Sequence, residues 1–235
     1  MINMYPAASR YTADHGWLKS NFSFSFADYY DPSNLNFGAM RVLNDDFVAP
    51  QEGFGMHPHQ EMEIVSIVLS GKLEHRDNLG NHAITSFGEI QRMSAGTGIF
   101  HSEFNASSDE TLNFLQMWFI PGESNLQPSY ETSTFNVLQM RNQLLPVVSS
   151  TGGENVAKIH QDMTIYLSEL DAGQSISYTT TPDRKIFVFV LEGDITINGE
   201  AKLGKRDSAR ISDIANVQIE ASADARLMLI DISDI

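Results

Sequence analysis

Short runs rich in Val, Ile, Phe and Thr, each soon closed by Gly, Asn, Asp or Pro, recur along the whole of this 235-residue chain. Strand-length segments punctuated in this way predict an all-β sandwich or barrel and leave little room for helices. Phe22, Phe24 and Phe26 alternate with Ser23 and Ser25, the period-two pattern of a strand with an aromatic face. Asp31-Pro32-Ser33-Asn34 closes that unit. Ile64 to Leu69 and Leu73 to Arg76 flank Ser70-Gly71, and the turn cluster Asp77 to Asn81 precedes Ala83-Ile84-Thr85. Leu112 to Ile120 is a further strand, stopped at Pro121-Gly122.

One segment is echoed half a chain later. Val65 to Leu73, a hydrophobic strand with a Ser-Gly turn, matches Phe187 to Ile195 at an offset of 122 residues. Similarity at that period suggests duplication of one β-barrel unit, since solenoid repeats are far shorter. The Pro- and Gly-punctuated stretch from Pro121 to Gly153 is the natural seam. The expected domains are residues 1–130 and 131–235.

Composition narrows the chemistry. With 42% hydrophobic and 19% charged residues the chain carries too much apolar material for a solvated coil. It has no Cys, so any metal must be held by His and carboxylate. A net charge of −15 repels a phosphate backbone, which argues against direct nucleic-acid binding. The first residues lack the basic and apolar regions of a secretory signal, and the longest apolar run, Ile186 to Leu191, is far short of the roughly 20 residues a membrane span needs. A cytoplasmic protein without membrane contact is the expectation.

Three of the seven histidines fall in two tight constellations. In His57-Pro58-His59 the two imidazoles project from one face of an extended chain about 6–7 Å apart, close enough to converge on one ion. His101-Ser102-Glu103 repeats the spacing after the Gly-rich turn at 95–98. Three imidazoles and a carboxylate suit Fe, Mn, Ni, Cu or Zn and not the all-oxygen shells of Ca or Mg. Glu63 shares parity with His57 and His59 and competes with Glu103 for the carboxylate position. If it is not a ligand, it accepts an imidazole N–H from behind. His75 and His82 read as surface residues, and His15 and His160 stand alone. Met56, Met93, Phe100 and Met117 are candidates to line a slot for a flat aromatic molecule.

These residues resemble a known family. His57-x-His59 with Glu63, followed by the stretch from Gly88 to Asn105, is similar to the two-part cupin signature. Gln51 stands where that signature has Gly, Ser94 where it has Pro, and two extra residues precede His101. Those departures match the pirin branch, as do Phe24 to Pro32, Glu74-His75-Arg76-Asp77 and Ser94 to Glu103. The likeness is dense over residues 17–120 and extends more weakly through His160 to Met163 and Val190 to Gly193. It is closest to the bacterial pirin-like proteins described as quercetin 2,3-dioxygenases.

The resemblance implies a bicupin, two tandem β-barrels of the double-stranded β-helix type packed against each other, with metal in the N-terminal one alone. His57, His59, His101 and Glu103 would hold one divalent transition metal, Fe²⁺ being expected and Mn, Ni, Cu, Co or Zn compatible. Glu63 would support the site from behind. The implied activity is dioxygenation of a flavonol such as quercetin with O₂ and release of carbon monoxide, Glu103 serving as general base. The alternative is an iron-binding regulatory or redox-sensing protein that acts through a protein partner.

Overall fold

The computed structural model describes residues 1–234; Ile235, the last residue of the expected second domain, lies outside them. Apart from two 3₁₀ turns, Ala7–Ser9 and Val137–Met140, every regular element among the described residues is a strand. No helix there is long and apolar enough to cross a membrane. The chain forms two compact units, neither of them one uninterrupted stretch. One comprises Tyr11–Phe135 with Ser150–Gln161, and the other Met1–Arg10, Asn136–Ser149 and Asp162–Ile235. All seven histidines belong to the first.

In the histidine-bearing unit a large antiparallel sheet runs in the order Ser129–Thr134, Glu89–Ser94, Glu63–Ser70, Leu112–Phe119, Met40–Val48, Leu18–Phe22, Tyr11–Asp14. A smaller one runs Gly53–His59, Ile99–Asn105, Leu73–Asp77, His82–Thr85. Strand alternation shows how the two faces fill the space between them. Val68 and Phe114 pack with Leu18, Val48, Leu112 and, from the small sheet, Leu73 in one apolar layer. Ile64 and Met93 pack with Ile99 and Trp118 in another. Between those layers the same strands present Ser66, Gln116, Gln91, His101 and Glu103. The barrel interior is thus two apolar plugs with a polar layer held between them. Each plug side chain contributes about 1.5–3 kcal/mol on burial, while the polar layer is tolerable only if its groups find partners.

The sheet edge carrying His57 is irregular. His101 pairs with His57, but Glu103 pairs with Phe54, so the Gly53–His59 strand holds one extra residue there. This bulge re-aims the strand between the two pairs. A Cβ on Gly53 would sit on the carbonyl oxygen of Glu103 and the backbone of Phe104, so only glycine allows the two strands to approach this closely.

Of the expected strand over Phe22–Phe26 only Phe22 lies in a strand. Leu18–Phe22 is a strand, but the ladder stops there. The Ser25 N–H donates to the Asn34 carbonyl (2.8 Å) and the Ser25 hydroxyl to that of Asp31 (2.9 Å), so loop bonds replace sheet bonds. The other expected strands appear within a residue or two of their predicted ends.

The second unit repeats the plan. Its main sheet runs Ile2–Tyr5, Ser208–Ile211, Lys185–Glu192, Ala225–Ile232, Met163–Leu170, Leu145–Ser149, and faces Ser175–Thr179, Asn216–Ala221, Ile195–Ile197, Ala201–Leu203. Lys185–Glu192 lies 122 residues after Glu63–Ser70, so the sequence echo marks equivalent strands. The buried core here is aliphatic, with Val188, Val190, Ile197, Ile219, Leu227 and Leu229 all buried and Tyr166 and Tyr178 packed against it. Where the first barrel has His57 and His59, the same offset gives Thr179 and Thr181.

Candidate metal centre

The imidazoles of His57, His59 and His101 converge. Their ring centroids lie 4.8 Å (His57–His59), 4.5 Å (His57–His101) and 4.8 Å (His59–His101) apart, and one ring nitrogen of each falls within 4.8 Å of the others. Strand alternation and the direct pairing of His57 with His101 account for the convergence. His57 Nδ1 lies 2.8 Å from the Gly55 carbonyl oxygen, an acceptor that can only be met by N–H, which leaves His57 Nε2 bare. The Nε2 atoms of His59 and His101 are buried without a hydrogen-bond partner. Buried polar atoms without partners are rare, and three imidazoles leaving nitrogens free toward one point fit a single divalent transition-metal ion. Burial, and then the neighbouring imidazoles, push His59 down to about 4 and His101 to about 3, so both are neutral and ready to ligate at physiological pH.

Glu103, 2% exposed, reaches from the small sheet to the large one. Its carboxylate accepts from Gln91 Nε2 (2.9 Å), Gln116 Nε2 (2.5 Å) and, at 3.4 Å, the Ser66 hydroxyl. Ser66 pairs with both Gln91 and Gln116, which makes these three donors neighbours in one row of the facing sheet. Glu103 lines the same cavity as His57 and His59, and its carboxylate clusters with His101 and His75.

That cavity measures about 400 Å³. Trp17, Phe22, Phe26, Phe54 and Trp118 form its apolar walls, and Ser20, Asn44, Asp46 and Gln116 its polar ones. Trp118 meets the His59 ring edge-on at 4.7 Å and Phe26 at 5.3 Å. Asp46 is pushed up to about 7, chiefly by burial, with the Ser20 hydroxyl pulling down and the charges of Asp45 and Glu103 adding to the rise.

Several expectations are corrected by these positions. His75 is not a surface residue: it is fully buried, because Leu73, His75 and Asp77 face inward while Arg76 faces out. His82 is exposed as expected, and His15 is an exposed residue at the cavity wall. Glu63 does not support the ligands. The strand carrying His57 and His59 ends at His59, and the positive φ of Glu61 (48°) breaks the parity on which that expectation rested. The Glu63 carboxylate instead accepts from Ser94 Oγ (2.8 Å) and from the N–H groups of His160 (2.9 Å) and Gln161 (2.8 Å), and lies 3.0 Å from His160 Nδ1. His160 therefore does not stand alone. Met56 and Phe100 alternate with the histidine positions and are 58% and 49% exposed; Met93 and Met117 are core. None of the four lines the cavity. The residues missed, Gln91, Gln116 and Ser66, are legible as polar breaks in otherwise apolar runs such as Ile64-Val65-Ser66-Ile67-Val68.

Two barrels of matching strand order, one holding a histidine cluster and the other filled with aliphatic side chains, define a bicupin. Residues 5–119 match the Pirin family and residues 146–232 the quercetinase C-terminal cupin domain. The chain belongs to the pirin family. It is 41% identical over 232 residues to the quercetin 2,3-dioxygenase of Escherichia coli (strain K12), covering 99% of each chain. It is 39% identical to a pirin-like protein of Caulobacter vibrioides, covering 98% of this chain and 99% of that one. The crystal structure of the bacterial pirin YhhW from Escherichia coli in complex with nickel(II) matches with a TM-score of 0.94 at 40% identity, over 100% of both chains.

Proposed function

We propose that this protein is a metal-dependent dioxygenase that opens a flavonol such as quercetin with O₂ and releases carbon monoxide. The observation that carries the reading is the convergence of three imidazoles, two of which, His57 and His59, line an aromatic-walled cavity together with the Glu103 carboxylate. A volume of about 400 Å³ lies within the range of small-molecule sites. The naming of relatives as quercetin 2,3-dioxygenases and the nickel(II) complex of a bacterial pirin support it further.

His57, His59, His101 and Glu103 are the residues that would hold the ion. When bound, it would supply Lewis-acid activation of the flavonol hydroxyl, lowering its pKa. Glu103 would take the hydroxyl proton, its carboxylate oriented by the amides of Gln91 and Gln116. Trp17, Phe54 and Trp118 offer flat apolar faces to the rings of the substrate and exclude water from them. The three-imidazole set accepts iron and its neighbours alike, so metal identity follows affinity and availability.

The test is elemental analysis followed by an oxygen-electrode assay with quercetin and detection of carbon monoxide, comparing wild type with His101→Ala. Oxygen uptake by wild type, and loss of both metal and uptake in the variant, is the expected result. Absence of turnover in protein fully loaded with each candidate metal would eliminate the enzyme and favour the regulatory alternative.

A further inference from the structure

One buried histidine remains outside the proposed ligand set. His75 is fully buried in the middle of the small sheet, and its two ring nitrogens both have partners. Nε2 lies 3.1 Å from Asp77 Oδ2, and Nδ1 lies 3.3 Å from Nδ1 of His101. Asp77 also accepts from the N–H groups of Leu79 and Asn81 (3.0 Å each) and from the Asn81 side-chain amide (3.2 and 2.9 Å). A carboxyl surrounded by donors is an acceptor only. Burial would raise its pKa, but the Asn81 amide, His75 and the two backbone N–H groups outweigh it and hold it below the usual range.

From that carboxylate the hydrogen positions along the chain follow in one direction. His75 Nε2 carries the hydrogen it shares with Asp77, and with a single hydrogen on the ring Nδ1 is the acceptor. Two bare nitrogens cannot share a hydrogen bond, so His101 Nδ1 must carry the hydrogen between the rings. His101 Nε2 is then bare, and it is the atom found buried and unpartnered beside His57 and His59. The His75 ring is held in plane by Tyr130, stacked on it at 4.2 Å and 15°. The Tyr130 hydroxyl donates to Gln91 Oε1 (3.1 Å), which turns the Gln91 amide so that its N–H₂ meets Glu103.

We propose that His75 is a positioning residue for the metal centre: with Asp77 it fixes the tautomer and ring orientation of His101, so that Nε2 faces the ion. The proposal rests on the reading of His101 as a ligand. It explains why His75, His101 and Glu103 cluster without requiring a second ion there, since a hydrogen bond accounts for the close approach of the two Nδ1 atoms. Groups of this kind behind a metal ligand typically change metal affinity about 10- to 100-fold.

Two measurements test it. In zinc-loaded, ¹⁵N-labelled wild-type protein, long-range ¹H–¹⁵N correlations should show His75 protonated on Nε2 alone and His101 protonated on Nδ1. A hydrogen on His75 Nδ1, or a metal-bound nitrogen shift on His75, would overturn the proposal. In direct titration with zinc, His75→Phe keeps the ring against Tyr130 but removes the acceptor, and should weaken binding about 10- to 100-fold. His75→Asn, whose amide oxygen can take the place of Nδ1, should recover part of that loss. Zinc affinity of wild-type strength in a folded His75→Phe, with affinity abolished in His101→Ala, sinks the positioning role alone. Unchanged affinity in His101→Ala sinks the ligand reading beneath it.

Discussion

Gln116 Nε2 and Glu103 Oε2 stand 2.5 Å apart, a charge-assisted bond between the two sheets of the first barrel. The bond fixes one oxygen of the carboxylate that the proposed reaction uses. Replacing Gln116 by Met keeps volume and removes the donor. Turnover of quercetin should fall about 10-fold or more, with one metal ion per chain retained. Steady-state kinetics alongside elemental analysis reads both quantities, and undiminished turnover would show that Glu103 needs no such support.

Glu63 predicts the opposite pattern. Its carboxylate is fully buried and takes hydrogen bonds from Ser94, His160 and Gln161, so its removal leaves several donors without a partner. Glu63→Leu should cost about 3 kcal/mol or more of stability while leaving metal stoichiometry unchanged. Thermal melts and metal content decide it; loss of metal from a folded variant would return Glu63 to the site.

Asp46 gives the barrel a pH dependence with a definite sign. Its carboxyl is pushed up to about 7 in the folded chain, against an ordinary value of 3.8. Between about pH 4 and 7 the folded state therefore keeps a proton that the unfolded chain has released, and stability falls as pH rises through that window. Asp46→Asn removes this pH dependence. Melting temperatures of the metal-free proteins from pH 4.5 to 7.5 should decline more steeply for wild type than for the variant, and parallel profiles would contradict the assignment.

The cavity wall tests substrate class. Trp17 packs edge-on against Phe54 at 5.3 Å and offers a broad apolar surface to the cavity. Trp17→Ala should raise KM for quercetin about 10-fold, the equivalent of 1.4 kcal/mol of binding, and lower kcat much less. An unchanged KM would mean that flavonols do not lie against this wall.

Sequence spacing puts His57 with His59, and His101 with Glu103, on one face of a strand because alternation is a local rule, and the 122-residue echo locates the duplication because equivalent strands keep equivalent turns. Glu63 fails by the same rule: one residue of positive φ at Glu61 resets the parity, and nothing in the residue types announces it. His75 fails because its charged neighbours suggest solvent, whereas the turn at 77–81 uses Asp77 as an internal acceptor and pulls the strand's other face inward. The aromatic wall of the cavity is assembled from segments far apart in the chain, so Trp17, just before the strand Leu18–Phe22, and Trp118 come together only through the order of the sheet.

The claim that three imidazoles and Glu103 hold one ion open to that cavity is tested most directly by an anomalous-difference map from crystals of the protein loaded with nickel. One peak per chain at about 2.0–2.2 Å from Nε2 of His57, His59 and His101 and from a Glu103 oxygen, with its remaining face toward Trp118, is the predicted result. A peak held elsewhere, or none at these histidines in fully loaded protein, would contradict the account.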